Sequence, residues 1–213
     1  MTDERQYAPA TERNRDPILA VLQRVLPAEG TVLEVSSGTG QHAVYFAPHL
    51  QSRAWLPSDR DPQALSSIAA WQQHQPADNL LAPIYLDAQE TVWSVETALD
   101  QGSEARLDSP ITAVVNINML HISPWTAGLG LLAGAGRILS GTGGVLYLYG
   151  PFRVQGQLVP SNADFDQMLR SRNAEWGIRE LDEVVAAAQA QGLKLVDQVA
   201  MPANNLSLVF KAS

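Results

Sequence analysis

The segment that most constrains the fold runs from Thr31 to Ala43, TVLEVSSGTGQHA. A β-branched and apolar run, TVLEVS (31–36), passes straight into a glycine turn, SGTG, and then into a helical segment through His42–Leu50. A strand lacking polar alternation is one covered on both faces, so helices must pack on either side of it. The pattern recurs. RAWLPS (53–58), LLAPIYLD (80–87), ITAVVNIN (111–118) and GGVLYLYG (143–150) read as strands, with helical periods at about 61–74 and 126–139 between them. Two closing runs, LKLVDQVAMP and NLSLVFKA, are separated only by Ala203-Asn204 and form an antiparallel hairpin. Strands alternating with helices predict a doubly wound α/β fold. The expected sheet is seven-stranded and mostly parallel, with one antiparallel strand near an edge.

Punctuation places the remaining elements. Asp16-Pro17 reads as an N-cap with proline at the first helical position, ahead of the apolar face Ile18, Leu19, Leu22, Val25 and Leu26. Asp61-Pro62 repeats that start, which assigns Asp61 a capping role. On this reading residues 1–15 are an N-terminal arm and 151–180 an irregular, substrate-side insertion. A helix over 180–191 ends at Gly192. No linker or repeat divides the chain, so 1–213 is read as a single domain.

Composition excludes several chemistries. The chain holds 14 Lys and Arg against 22 Asp and Glu, a net charge of −8, which disfavours nucleic acids and anionic membranes as partners. It has no cysteine, hence no disulfide, thiol nucleophile or thiolate metal site. His42, His49, His74 and His121 are scattered without ligand spacing, so no metal is expected. The uncharged stretch from Ser109 to Gly136 is interrupted by Asn116, Asn118, His121, Ser123 and Pro124; a buried strand and helix explain it better than a membrane span. The first fifteen residues carry no apolar core of a secretory signal. A cytoplasmic location is the expectation, with a monomer or homodimer equally open.

In open α/β sheets ligands bind beyond the carboxyl ends of the strands, at the topological switch point. The turn Ser36-Ser-Gly38-Thr39-Gly40 is therefore the first candidate site, its glycines letting a ligand approach the backbone at a helix N-terminus. Asp59 follows about 20 residues on, where an acidic side chain commonly takes both hydroxyls of an adenosine ribose. Asp87, ending the third strand, is a candidate for the adenine amine or simply a turn former. Gly38-x-Gly40-x-x-Ala43 also matches a dinucleotide fingerprint. Glu34, near the mouth of the first strand, suits a cationic methionine moiety better than a diphosphate, which favours S-adenosylmethionine (SAM).

Taken together, VLEVSSGTGQH, LPSDRDPQAL, YLDA, NINMLHISPW and GVLYLYGPF, with PATERNRDPIL and FDQMLRSRNAEWGIRE, resemble one family along nearly the whole chain. That family is "domain of unknown function 938", regarded as SAM-dependent methyltransferases and related to a methyltransferase-like protein of animals. Its parent is the class I SAM-methyltransferase fold. The resemblance implies the sheet order of that class with the last strand inserted antiparallel. It also implies cofactor contacts from Glu34, Ser36, Gly38, Thr39, Gly40, Asp59, Arg60, Asp87, Ala88, Asn118 and Met119. The sequence departs from the class pattern at Ser36, where a glycine is usual.

On the substrate side, His121 is the candidate base, three residues past Asn118. Tyr149, followed by Gly150, Pro151 and Phe152, is expected to face it across the cleft as a second catalytic residue. His121 can equally be a satisfied histidine fixing the loop before Pro124-Trp125. Arg13, Asn14, Trp125, Phe152 and Arg153 are the substrate-binding candidates. Arg153, Arg170, Arg172 and Arg179 make 151–180 the one basic stretch, so a small acceptor bearing a carboxylate or phosphate is an option. Asn118-Met-Leu-His121 lacks the Asn-Pro-Pro-Tyr pattern of adenine- or glutamine-methylating enzymes. The leading expectation is SAM-dependent methyl transfer to a small molecule. The alternatives are a non-catalytic SAM-binding scaffold and an NAD-dependent oxidoreductase.

Overall fold

A computed structural model describes residues 3–96, 107 and 109–213. Its strands are β1 (Gly30–Val35), β2 (Arg53–Asp59), β3 (Ile84–Tyr85), β4 (Ile111–Ile117), β5 (Val145–Gly150), β6 (Phe152–Arg153), β7 (Arg179–Glu180), β8 (Leu193–Met201) and β9 (Asn205–Ala212). The helices numbered here are α1 (Pro9–Val25), α2 (Gln41–His49), α3 (Pro62–His74), α4 (Trp125–Leu139), α5 (Pro160–Arg172) and α6 (Leu181–Gln189). Seven strands form one sheet in the order β3-β2-β1-β4-β5-β9-β8. All neighbours from β3 to β5 are parallel. β9 runs antiparallel to both β5 and β8 and lies one strand in from the edge. The expected fold class, including the inserted last strand, is therefore the one observed.

Alternating residues send side chains to opposite faces of the sheet. Leu33, Val114, Leu146 and Phe210 join α4 and α6 in the larger core, while Val32, Val115, Tyr147 and Val209 pack with α1 and α2. The uncharged 109–136 stretch becomes β4 and the first part of α4, both largely buried. Among the described residues no helix is long and apolar enough to cross a membrane.

Three expectations are corrected. α1 begins at Pro9, not Asp16, and carries Pro17 inside it. Its buried stripe starts with Thr11 and Asn14 before reaching Ile18, Val21 and Leu22; the helical period is intact, but its first two positions are polar. The 151–180 stretch is not irregular, because α5 lies in it, again with a mostly polar buried stripe of Asn162, Asp166 and Leu169. The third strand shrinks to Ile84–Tyr85 plus an isolated bridge between Trp55 and Leu80, since Pro83 has no N–H to give the ladder.

Candidate functional site

Strand order reverses beside β1, whose neighbours are β2 on one side and β4 on the other. The chain leaves β1 through Ser36, Gly38 and Gly40, all in the left-handed region with φ of 58, 57 and 86°. For glycine this costs little; Ser36 pays roughly 1–2 kcal/mol for it. The two glycines do different things. A Cβ on Gly38 would meet nothing within 4 Å, so its backbone borders open space. A Cβ on Gly40 would lie 2.7 Å from the Cα of Ile68, so Gly40 is there to seat α2 against α3 rather than to admit a ligand. Thr39 bonds within the turn, its hydroxyl donating to Gln41 Oε1 and its carbonyl accepting from Ser67.

Asp59 is buried beside this turn. Its Oδ2 accepts the Gly38 N–H at 2.9 Å and its Oδ1 accepts the Asp61 N–H at 3.0 Å. Each oxygen keeps a lone pair for a further donor. Asp61 caps α3 by accepting from Gln63 N, as its sequence position predicts. Asp87 both turns the chain, accepting the Gln89 N–H, and pairs with Arg60 at 3.5 Å across the mouths of β2 and β3. Gly38, Asp59, Arg60 and Asp87 are thus gathered along one edge of the sheet. Ala88 is buried in the larger core instead, where its carbonyl would lie 2.1 Å from a Cβ on Gly130 of α4.

Glu34 does not present its carboxylate at the mouth. It is 1% exposed, and Oε2 accepts the Trp55 indole N–H at 2.9 Å. Burial, opposed by the Trp55 and Ser37 hydrogen bonds, pushes its carboxyl up to about 7. Any influence on a cationic ligand passes through its field rather than by contact.

The end of β4 supplies the opposite wall. Asn116 donates to the Val35 carbonyl at 2.9 Å and ties β4 to β1. Asn118 turns in the left-handed region, φ 68°, with its N–H on the Tyr149 carbonyl. Met119 faces the larger core. His121 is buried, with its ring edge-on to Phe165 of α5 at 5.5 Å. A Cβ on Gly150 would lie 3.4 Å from its Nδ1 and 3.8 Å from Asn118 Oδ1. Burial and the Arg179 charge hold the imidazole down to about 4, so it is neutral at pH 7.

Tyr149 is not across a cleft from His121. Residues 149 and 150 point to opposite faces; Gly150 faces His121, while Tyr149 packs with the α1 and α2 core. There the side-chain amides of Asn14 and Asn205 face its phenol, which burial keeps protonated. Asn14 does not belong to an N-terminal arm, because α1 buries it against His42 Nε2 at 2.9 Å. Arg13 is exposed on the same helix. Phe152 is a core side chain. Residues before α1 nevertheless lie over the glycine turn: Gln6 N–H donates to Ser67, its carbonyl accepts from the Trp71 indole, and Ala8 N–H donates to Gln41.

The arginines of 151–180 are largely spoken for. Asp166 holds Arg170 at 2.9 Å and Arg153 at 3.4 Å. Arg179 donates to the carbonyls of Leu120 and Ser123 and lies over the Trp125 ring at 5.7 Å, which pins the loop carrying His121. Arg172 remains exposed at the end of α5. Sequence reasoning missed Asn162, Phe165 and Asp166 because α5 itself was not recognised.

Known structures share this architecture. The chain is similar to the mitomycin 7-O-methyltransferase MmcR, with a TM-score of 0.75 and 12% identity over 96% of this chain and 54% of that one. It is similar to an O-methyltransferase family protein from Burkholderia thailandensis, with a TM-score of 0.73 and 13% identity over 96% and 57%. It is also similar to CalO1, a methyltransferase of calicheamicin biosynthesis in its S-adenosylhomocysteine (SAH)-bound form, with a TM-score of 0.67 and 18% identity over 93% and 54%. The chain spans about half the length of these proteins, and identities this low establish a methyltransferase-like fold. At the level of sequence the match extends over residues 5–212, and the chain belongs to the family described as "Protein of unknown function (DUF938)".

Proposed function

We propose that the protein binds SAM along the glycine turn and transfers its methyl group to a small-molecule acceptor. The observation that carries this reading is the coupling of the Gly38 N–H to Asp59 Oδ2 at 2.9 Å, beside an open face at Gly38 and at the switch point of the sheet. The residues present fit the cofactor: a glycine backbone open to a ligand, a buried carboxylate with lone pairs left for two ribose hydroxyls, and Asp87 for the adenine amine. When bound, SAM supplies an electrophilic methyl group on a sulfonium. The protein's part is to align the acceptor with that methyl and to take the acceptor's proton. Orientation of this kind is worth up to ~7–11 kcal/mol in favourable cases.

Neutral His121 is assigned the proton-accepting role, with Asn118 and Arg179 fixing its loop. Bound SAM would supply the methyl group, and the acceptor's proton would go to an imidazole nitrogen of His121. Titration calorimetry tests the reading. SAM and SAH are expected to bind, with NADH much weaker; binding of NADH without SAM would overturn it in favour of an oxidoreductase.

A further inference from the structure

Between residues 154–159 and the β8–β9 turn lies a cavity of about 480 Å³, within the range of small-molecule sites. Its walls combine apolar side chains, among them Phe152, Leu158 and Met201, with the amides of Gln157, Asn162 and Asn205. Not one residue lining it carries a charge. Three observations tie it to the site. Leu206, in its wall, pairs with Gly150, and Gly150 faces His121. Asn162 and Phe165 are one turn apart on α5, separated by about 4.5 Å along the helix axis; the first lines the cavity and the second touches His121. Asn162 also donates to the Asn204 carbonyl at 3.1 Å, while Asn204 donates to Ser161 at 3.2 Å, so α5 and the β8–β9 turn are fastened across one end.

Resting on the methyl-transfer reading, we propose that this cavity is the acceptor site and that it takes an uncharged, largely apolar molecule bearing hydroxyl or carbonyl groups. An ionised acceptor would lose its hydration to a wall holding no counter-charge. Arg153, the cation nearest in sequence, is held by Asp166, as is Arg170 of α5. Carboxamides both donate and accept, so they match neutral hydroxyl and carbonyl groups while the apolar walls cover a ring system. The anionic acceptor that the arginine-rich sequence allows is therefore not the one this cavity selects.

The test is a fragment screen on the isotope-labelled full chain with SAH present. The library holds equal numbers of neutral, anionic and cationic ring compounds, read through the side-chain amide signals of Asn162, Asn205 and Gln157 and the imidazole of His121. Neutral fragments are expected to shift these signals, and their charged analogues to bind at least tenfold more weakly. Val154→Trp, at an exposed position in the wall, should abolish those shifts and leave SAH affinity unchanged. A preference for charged fragments, failure of every fragment to reach the cavity, or neutral binding that survives Val154→Trp would each overturn the assignment. SAH calorimetry separates the two failures. Intact SAH binding with a failed screen rejects the cavity alone, whereas loss of SAH binding rejects the cofactor reading and the acceptor site with it.

Discussion

Glu34→Gln isolates what a buried carboxylate does to this fold. Glu34 is almost wholly inaccessible, its Oε2 bonded to the Trp55 indole, and burial raises its carboxyl from 4.5 to about 7. The unfolded chain releases this proton near 4.5 and the folded one near 7. The stabilising contribution of the group is therefore complete below 4.5 and is lost as pH rises through 7. The shift, 7 − 4.5 = 2.5, corresponds to about 3 kcal/mol of lost stability above pH 7. Glutamine keeps a carbonyl oxygen for the indole N–H and has no proton to lose. At pH 8 the variant should be more stable by up to ~3 kcal/mol, raising the melting temperature by roughly 5–10 °C for a chain of this size. The advantage should shrink steadily on acidification and vanish near pH 4.5. Paired denaturant titrations from pH 4.5 to 8 measure it directly. A variant no more stable than the parent at pH 8, or an advantage independent of pH, would show that the carboxylate is hydrated and the burial argument wrong.

Five further outcomes follow from the same geometry. Ser36→Gly relieves a left-handed residue and should add about 1 kcal/mol of stability in chemical denaturation. Asp59→Ala should weaken SAM at least tenfold, about 1.5–3 kcal/mol for a charged acceptor, as read by calorimetry, and should also loosen the Gly38 turn that the carboxylate holds. His121→Asn should lower turnover ~10²-fold or more with SAM affinity within about threefold; an equal loss of both would mark a structural histidine. With its imidazole held down to about 4, His121 should impose no loss of rate between pH 8 and 5, so a rate that halves near pH 6.5 would reject it as the base. His42 is held down to about 4 by burial and by Arg15, so these two histidines cost stability as pH falls from 6.5 towards 4. Because Glu34 opposes that slope, Glu34→Gln should show a steeper acid limb than the parent.

The succession of strands, the glycine turn, Asp59 and the α3 cap were legible because each rests on a local rule: an unbroken apolar strand, glycine ahead of a helix, an acid just past the second strand, aspartate before proline. The sheet order came only from the family resemblance. The two missed helix segments share a different physics. In α1 the inward positions 11 and 14 are threonine and asparagine, and in α5 positions 162 and 166 are asparagine and aspartate. A search for apolar residues at helical spacing passes over such stripes, although their burial is as real as that of leucine. Their polar atoms find partners only in the folded chain: Asn14 on His42, Asn162 on the Asn204 carbonyl, Asp166 on Arg170, Arg153 and the Ile178 N–H. Apart from Arg170, four residues from Asp166 in the same helix, those partners lie 12 to 42 residues away and outside the helix whose period is read. The same blindness made Tyr149 look catalytic and the arginines look free.

The place of β9 bears on how the chain reaches its native state. It follows β8 in sequence yet sits between β8 and β5, so on a ribosome the inner edge of β5 stays unpaired until the last strand has emerged. Until then the backbone of Val145–Gly150 is an open template for another chain, and Leu208 and Phe210 are missing from the larger core. Long-range pairing of this kind is slow, and an exposed edge invites association between chains. Refolding yield should therefore depend on protein concentration, and agents that occupy strand edges or holdase chaperones should matter most while residues 193–212 are still unpaired.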